Sequence, residues 1–179
     1  MKVIEKVHYE DILEPEIVQL IQSLVKDKMD QLFITSEHFA IDIDKLLFQL
    51  NLKVKYIKMK DNTSGYLSGR TIYINNTRFA IARELGRYLY KYKDNNDNSL
   101  KNLHEMIYES NVNQFSVDLL MPKKQIEALV YNFYEVNNIN LSSGLSEKER
   151  NKLLNLISTK LEISKVAAGL RLYNLGIHI

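Results

Sequence analysis

Residues 78–90 read Arg-Phe-Ala-Ile-Ala-Arg-Glu-Leu-Gly-Arg-Tyr-Leu-Tyr. Apolar side chains recur about one helical turn apart within this stretch, at Ile81, Leu85 and Leu89. That spacing places them on one face of an α-helix, which predicts a helix over residues 78–92 with its apolar side against a core.

Two arginines stand one turn apart on the other side of this helix, Arg83 and Arg87, and Glu84 follows the first of them. Histidines at both positions would complete a His-Glu-x-x-His motif, in which two imidazoles bind Zn²⁺ and the glutamate acts as general base. Arginine cannot replace them, because its permanently protonated guanidinium has no lone pair to donate. The stretch therefore has the frame of a zinc-peptidase helix without its two nitrogen ligands.

A second informative segment, residues 109–122, reads Glu-Ser-Asn-Val-Asn-Gln-Phe-Ser-Val-Asp-Leu-Leu-Met-Pro. Together the two segments resemble the ImmA/IrrE family of zinc metallopeptidase-like proteins. Members typically read Arg-Phe-Thr-Ile-Ala-His-Glu-Leu-Gly-His-Tyr-Leu across the first segment and Glu-x-x-Ala-Asn-x-Phe-Ala-x-Glu-Leu-Leu-Met-Pro across the second. The resemblance extends over residues 36–176.

The resemblance assigns roles to four positions of this chain. It implies that Glu84 matches the general base and that Glu109 matches the acidic zinc ligand. Arg83 and Arg87 stand where the family has histidine ligands. One remaining carboxylate is far short of the three or four donors that zinc requires. We therefore expect no zinc, no other cofactor and an idle Glu84.

Two interpretations of the arginines remain open at this point. In one, Arg83 and Arg87 belong to a solvated face opposite the apolar stripe. In the other, their two positive charges replace those of Zn²⁺ and form salt bridges with Glu84 and Glu109, since guanidinium groups bind carboxylates bidentately.

Composition limits the class of protein. The chain has 179 residues, 45% of them hydrophobic, which is enough for one core. It has no cysteine, so disulfide frameworks and thiolate zinc sites are excluded. Its net charge of +2 does not point to nucleic acid or to an anionic membrane. A signal peptide and a membrane-spanning apolar run are not expected, and we predict a cytoplasmic protein.

The pattern along the chain predicts an α+β fold that is mainly helical. A small antiparallel sheet of about three strands is expected to pack on the motif helix in a zincin-like arrangement. We predict two parts, a metallopeptidase-like domain with a helical N-terminus over residues 1–136 and a helical C-terminal subdomain packed on it over residues 145–179. The predicted elements are helices at 14–32, 36–52, 78–92, 103–120, 123–136, 146–156 and 164–176, and strands at 53–60, 66–67 and 71–74.

Basic residues cluster in two places outside the motif helix. Lysines alternate along the strand at 53–60, at Lys53, Lys55, Lys58 and Lys60. Protection of an exposed sheet edge is favoured over nucleic-acid binding for this stripe. The last helices carry Lys160, Lys165 and Arg171, but packing of Val166, Leu170, Leu172 and Leu175 is favoured there over reading of a DNA groove.

These observations favour a regulatory pseudoenzyme that binds a protein partner. By the family resemblance, that partner is a helix-turn-helix repressor or a host factor in a phage or mobile-element context. One alternative is an active zinc endopeptidase with unrecognised ligands or with arginines that replace natural histidines. A weaker alternative is a nucleic-acid-binding module. No membrane partner is expected.

Overall fold

The computed structural model describes residues 5–58, 65–75, 77–93, 101–140 and 144–179. Within these ranges the fold is α+β and mainly helical, as predicted. No helix in the described ranges is both long enough and apolar enough to cross a bilayer. The elements in chain order are β1 (Val7–His8), α1 (Tyr9–Ile12), α2 (Pro15–Val25), a 3₁₀ turn (Lys26–Gln31), β2 (Phe33–Ile34), α3 (Ile43–Gln49), β3 (Lys53–Tyr56), β4 (Gly65–Ser68), β5 (Thr71–Ile74), α4 (Arg78–Lys93), α5 (Lys101–Leu120), α6 (Lys123–Val136), α7 (Glu147–Leu161) and α8 (Lys165–Asn174).

The three-stranded sheet is mixed, and in this it differs from the antiparallel sheet expected from the sequence. The strand order is β3-β5-β4. β4 and β5 form the predicted hairpin around Gly69, whose φ of 58° suits glycine, while β3 pairs with β5 in parallel. β4, the next strand after β3 in the chain, therefore lies at the far edge of the sheet, and β5 lies in the centre. Local alternation of side chains does not encode which non-consecutive strands pair.

The predicted strand over residues 53–60 is shorter in the structure, where β3 ends at Tyr56. Its alternation of charged and apolar residues breaks at this point. Lys58 follows the strand and is exposed, and Lys60 lies outside the described residues.

The helix predicted over residues 36–52 is also shorter and begins at Ile43. Its N-cap is Asp42, whose side chain accepts a hydrogen bond from the backbone N–H of Lys45, and not Ser36. Tertiary contacts hold the preceding residues out of the helix, because the Asp42 N–H donates to the buried Tyr9 hydroxyl at 2.7 Å. Arg78 likewise donates to the carbonyl oxygen of Ile41 at 2.8 Å.

One side of the mixed sheet packs on the motif helix. Ile72 and Ile74 are fully buried on that side, and Leu85 and Leu89 of α4 are buried with them in the hydrophobic core. The sheet and α4 therefore form the two layers that position the motif residues.

The C-terminal helices follow their predicted caps but not their predicted packing. Ser146 and Glu149 form the expected capping box, and the Ser164 side chain caps α8. Val166 and Leu170 were expected to pack inward, yet they are 73% and 60% exposed.

The face that α8 buries consists of Ala168, Arg171 and Leu172. Apolar residues occur on more than one side of α8, so its sequence does not determine which side is buried. The ion pair between Arg171 and Asp118 stabilises the observed orientation. Buried residues from both predicted parts contribute to one hydrophobic core cluster, and the division at residues 136 and 145 stays a prediction.

Candidate functional site

Helices α4 and α5 bring together the four side chains that the sequence analysis selected. α4 carries Arg83, Glu84 and Arg87, and α5 carries Glu109. The two helices approach closely at Gly86, where an added Cβ would lie 2.9 Å from the Cδ1 atom of Phe115. A side chain at this position would force the Phe115 ring or α5 to shift.

Both arginines bind the carboxylate of Glu109. Arg87 binds it bidentately, with Nε donating to Oε1 at 3.0 Å and Nη2 donating to Oε2 at 2.8 Å. Arg83 donates from Nη2 to Oε2 at 3.0 Å. These hydrogen bonds, led by those from Arg87, hold the pKa of Glu109 below its ordinary value. The ion pairs match the interpretation in which Arg83 and Arg87 replace the charge of Zn²⁺, and not the one in which they belong to a solvated face.

Glu84 lies deeper than its neighbours, with only 1% of its side chain exposed. Its Oε1 atom accepts a hydrogen bond from Nη1 of Arg87, and its Oε2 atom is buried without a partner in the described part of the chain. Burial raises the pKa of Glu84, although Arg87 and Arg83 oppose this effect. Arg87 therefore bridges a buried carboxylate and a half-exposed one.

The first residue of β4 covers Glu84 from the sheet side. A Cβ added at Gly65 would lie 2.9 Å from Cγ2 of Ile74 and 3.4 Å from Cγ of Glu84. Glycine at this position lets the strand approach the helix closely.

Tyr108 supports the site from α5, although it lies outside both sequence motifs. Its hydroxyl donates to the backbone carbonyl oxygen of Arg87 at 3.0 Å, and its ring meets that of Tyr90 edge to face. Its position directly before Glu109 was the only sequence signal for this role.

The donor atoms present do not fit a zinc ion. Guanidinium groups occupy the positions nearest Glu109, and they have no lone pair for a metal. Within the described ranges, no group of three or more histidine, cysteine, aspartate or glutamate side chains is arranged to hold a metal. The chemistry that these four residues supply is charge pairing between helices.

A family model described as the IrrE N-terminal-like domain, a peptidase family, matches residues 44–173. The chain belongs to this family. The matched range runs from α3 to α8 and includes all four site residues, so the ImmA/IrrE assignment made from the two motifs is confirmed. No curated protein matches the chain significantly.

Proposed function

We propose that this ImmA/IrrE-family protein is catalytically inactive and acts by binding a protein partner. One observation carries the proposal: Arg83 and Arg87 form hydrogen bonds to the carboxylate of Glu109, the position that matches the acidic zinc ligand of the family. A site built in this way lacks the donors that a hydrolytic metal needs.

Glu84 is poorly placed to act as a base without such a metal. A zinc ion lowers the pKa of its bound water to about 7, whereas a carboxylate alone is far too weak a base for free water. One oxygen of Glu84 is engaged by Arg87 and the side chain is buried. Its remaining function is to anchor Arg87.

The ion pairs preserve the helix arrangement that a metal would otherwise organise. The two guanidinium charges equal the charge of Zn²⁺, and they face the same two carboxylates, Glu84 and Glu109. The α4–α5 surface therefore keeps its shape for recognition after hydrolysis is lost.

Exposed apolar side chains near the site support a protein partner. Phe79 lies one turn before Arg83 on α4 and is 39% exposed, and Met106 lies one turn before Glu109 on α5 and is 72% exposed. Large apolar side chains beside a charged cluster are common at protein interfaces. By family resemblance we propose a cytoplasmic helix-turn-helix repressor or host factor, in a phage or mobile-element context, as the partner.

The test is affinity capture from the native host with the tagged full chain. Three forms are compared: the wild type, Glu84→Gln, and the control Glu127→Gln on α6, where the side chain is half exposed. We expect all three to retain the same partner, a helix-turn-helix protein, at its full length, because a glutamine side chain at position 84 can still accept the hydrogen bond from Nη1 of Arg87. A partner that is shortened by the wild type and by Glu127→Gln but not by Glu84→Gln would contradict the proposal.

A second pair of variants tests the location of binding. Met106→Asp should reduce partner retention at least about tenfold, because it places a charge in the proposed apolar rim. Val136→Asp, at a 71% exposed position on α6, serves as the matched control and should retain the partner. Equal retention by both variants would remove the α4–α5 rim from the interface.

A further inference from the structure

A row of side chains crosses the face of the mixed sheet that is turned away from α4. The strand register aligns Lys55 of β3 with Tyr73 of β5, and Tyr73 with Tyr66 of β4. The two tyrosine rings are stacked, with centroids 4.8 Å apart and an angle of 11° between their planes. The Lys55 Nζ atom lies 5.8 Å from the centroid of the Tyr73 ring.

Among the described residues, no further strand lies beside the outer side of the stack. Neighbouring strands lie about 4.8 Å apart. Two rings stacked across neighbouring strands therefore turn their flat faces toward the adjacent strands. Tyr73 covers one face of the Tyr66 ring, and the other face points beyond the edge strand β4. Tyr66 is 46% exposed.

The same face is basic and polar. Lys53 is two residues from Lys55 and therefore shares its side of β3, where both are exposed. The backbone N–H of Lys53 donates to the carbonyl oxygen of Arg70 at 2.9 Å, which places the exposed hairpin turn beside it. The strands β3, β4 and β5 contain two lysines and no acidic residue, in a chain whose net charge is only +2.

We propose that this face binds single-stranded nucleic acid, with a base stacked on Tyr66 and phosphates held by Lys53, Lys55 and Arg70. Aromatic rings combined with basic side chains on an exposed sheet are the usual means of binding single strands. Duplexes do not fit, because their bases are already stacked and paired.

Edge protection, which the sequence favours for the lysine stripe, accounts for only part of this surface. It explains lysines on β3, which is an edge strand of the sheet. It does not explain the Tyr66–Tyr73 stack or Arg70, which lie on the face and at the hairpin turn. A protein-docking surface is also less suited, because the neighbouring side chains on this face are Ser68 and Thr71.

The surface is separate from the α4–α5 site. Ile72 and Ile74 point to the opposite side of the sheet and are buried against the core that contains α4. Nucleic-acid binding on the outer face is thus independent of the ion pairs and of the proposed protein partner.

The test uses the full chain and fluorescein-labelled 12-nucleotide probes, namely oligouridylate, oligothymidylate and a duplex of the same length, measured by fluorescence anisotropy. We expect one or both single strands to bind at about 50 mM salt and the duplex to bind at least about tenfold more weakly. The logarithm of the binding constant should fall with the logarithm of the salt concentration with a slope of about −2, as three phosphate contacts predict. A preference between the two single strands distinguishes RNA from DNA.

Two tyrosine variants separate stacking from charge. Tyr66→Ala should weaken single-strand binding at least about tenfold. Tyr131→Ala, at a 60% exposed position on α6, is the matched control and should leave binding unchanged. Ultraviolet cross-linking to the wild type provides a readout that needs no variant, with adducts expected on the peptides that contain Tyr66 or Tyr73.

Three results with the wild type would overturn the proposal: no single-strand binding at about 50 mM salt, equal affinity for the duplex, or adducts confined to other peptides. Equal binding by a folded Tyr66→Ala and by Tyr131→Ala would do the same, because affinity would then depend on charge alone.

Discussion

Arg87 and Arg83 contact the same carboxylate but have different neighbours. Arg87 reaches Glu109 through two nitrogens and also binds the buried Glu84, whereas Arg83 reaches Glu109 through one nitrogen. Both side chains are 26% exposed, so the difference lies in their partners and not in their burial.

Removal of Arg87 should cost more stability than removal of Arg83. Arg87→Ala leaves the carboxylate of Glu84 buried and unpaired, which we expect to cost about 3 kcal/mol. Arg83→Ala removes one contact to a half-exposed group and should cost less than about 1 kcal/mol. Denaturant unfolding of both variants measures the difference.

Double-mutant cycles with Glu109→Ala isolate the two pair energies. The coupling of Arg87 with Glu109 should exceed that of Arg83 with Glu109, because the first pair is bidentate. Zero coupling for both arginines would show that the ion pairs do not stabilise the fold.

The two glutamates should respond to pH in opposite directions. Burial raises the pKa of Glu84. Between the ordinary and the raised pKa, the folded chain therefore holds a proton that the unfolded chain has released. The free energy of unfolding consequently falls as the pH rises through this range. The hydrogen bonds from Arg87 lower the pKa of Glu109, so its contribution is present above its ordinary pKa and is lost as pH falls through the lowered value.

Glutamine variants measure these two contributions between about pH 3 and pH 8. The stability of Glu84→Gln relative to the wild type should rise with pH above the ordinary glutamate pKa. The relative stability of Glu109→Gln should instead decrease from low pH and then level off. If the relative stabilities of the two variants changed with pH in the same direction, the opposite pKa shifts of Glu84 and Glu109 would be contradicted.

At the level of elements, Gly86 sets the distance between α4 and α5. Its hypothetical Cβ would meet the ring of Phe115 at 2.9 Å and the carbonyl oxygen of Val112 at 3.5 Å. A Cβ added at Gly169, inside α8, would make only an ordinary van der Waals contact of 3.8 Å with Cδ2 of Leu154. The two glycines therefore differ in packing while both lie inside helices.

Alanine substitution at these two positions should have opposite effects. An alanine gains about 1 kcal/mol over glycine inside a helix, so Gly169→Ala should raise the free energy of unfolding. Gly86→Ala should lower it by about 1 kcal/mol or more, because the cost of overpacking exceeds that gain. Thermal or denaturant unfolding compares the two, and stabilisation by both would show that α5 can move away from α4 without loss.

Sequence patterns predicted the elements whose signals are local. The apolar spacing of α4, the capping box at Ser146 and the hairpin at Gly69 are all in place. The predicted start of α3 at Ser36 was wrong, because the buried hydroxyl of Tyr9, which is distant in sequence, fixes the backbone at Asp42. The parallel pairing of β3 with β5 was missed for the same reason, since it depends on contacts between segments and not on local residues.

The site could be predicted further than the fold around it. Helix spacing grouped Arg83, Glu84 and Arg87 on one side of α4, whereas Glu109 on α5 was selected only through the family resemblance. The two motifs left open whether Arg83 and Arg87 face solvent or Glu109, since that depends on how closely α5 approaches. Gly86 permits this close approach. It has no charged side chain, so nothing in the sequence identified it as part of the site.

At the level of the whole molecule, two arginines connect the motif helices to distant segments. Arg78 begins α4 and binds Glu162, the C-cap of α7, at 2.6 Å. Arg171 of α8 donates to the Met121 carbonyl oxygen at 3.0 Å and to Asp118 at 2.6 Å, and so ties α8 to the end of α5. The positions of α4 and α5 are thus held by the rest of the fold as well as by their own ion pairs.

A scaffold held in this way should accept a metal once the ligands are supplied. The double variant Arg83→His with Arg87→His places two imidazoles one turn apart beside Glu109, which together make the three protein donors of a zinc site. We expect the wild type to retain far less than one zinc ion per chain after dialysis and the double variant to retain about one. Elemental analysis of the two purified proteins, with circular dichroism to confirm folding, measures this.

Addition of Glu109→Gln to the double variant is the control and should abolish retention, because it removes the third ligand while it preserves the shape of the side chain. About one zinc ion held by the wild type would show that donors other than these residues bind metal, and the pseudoenzyme proposal would fail. A folded double variant without zinc would show that α4 and α5 no longer have the separation that coordination requires, so that the arginines had reshaped the site as well as replaced its charge.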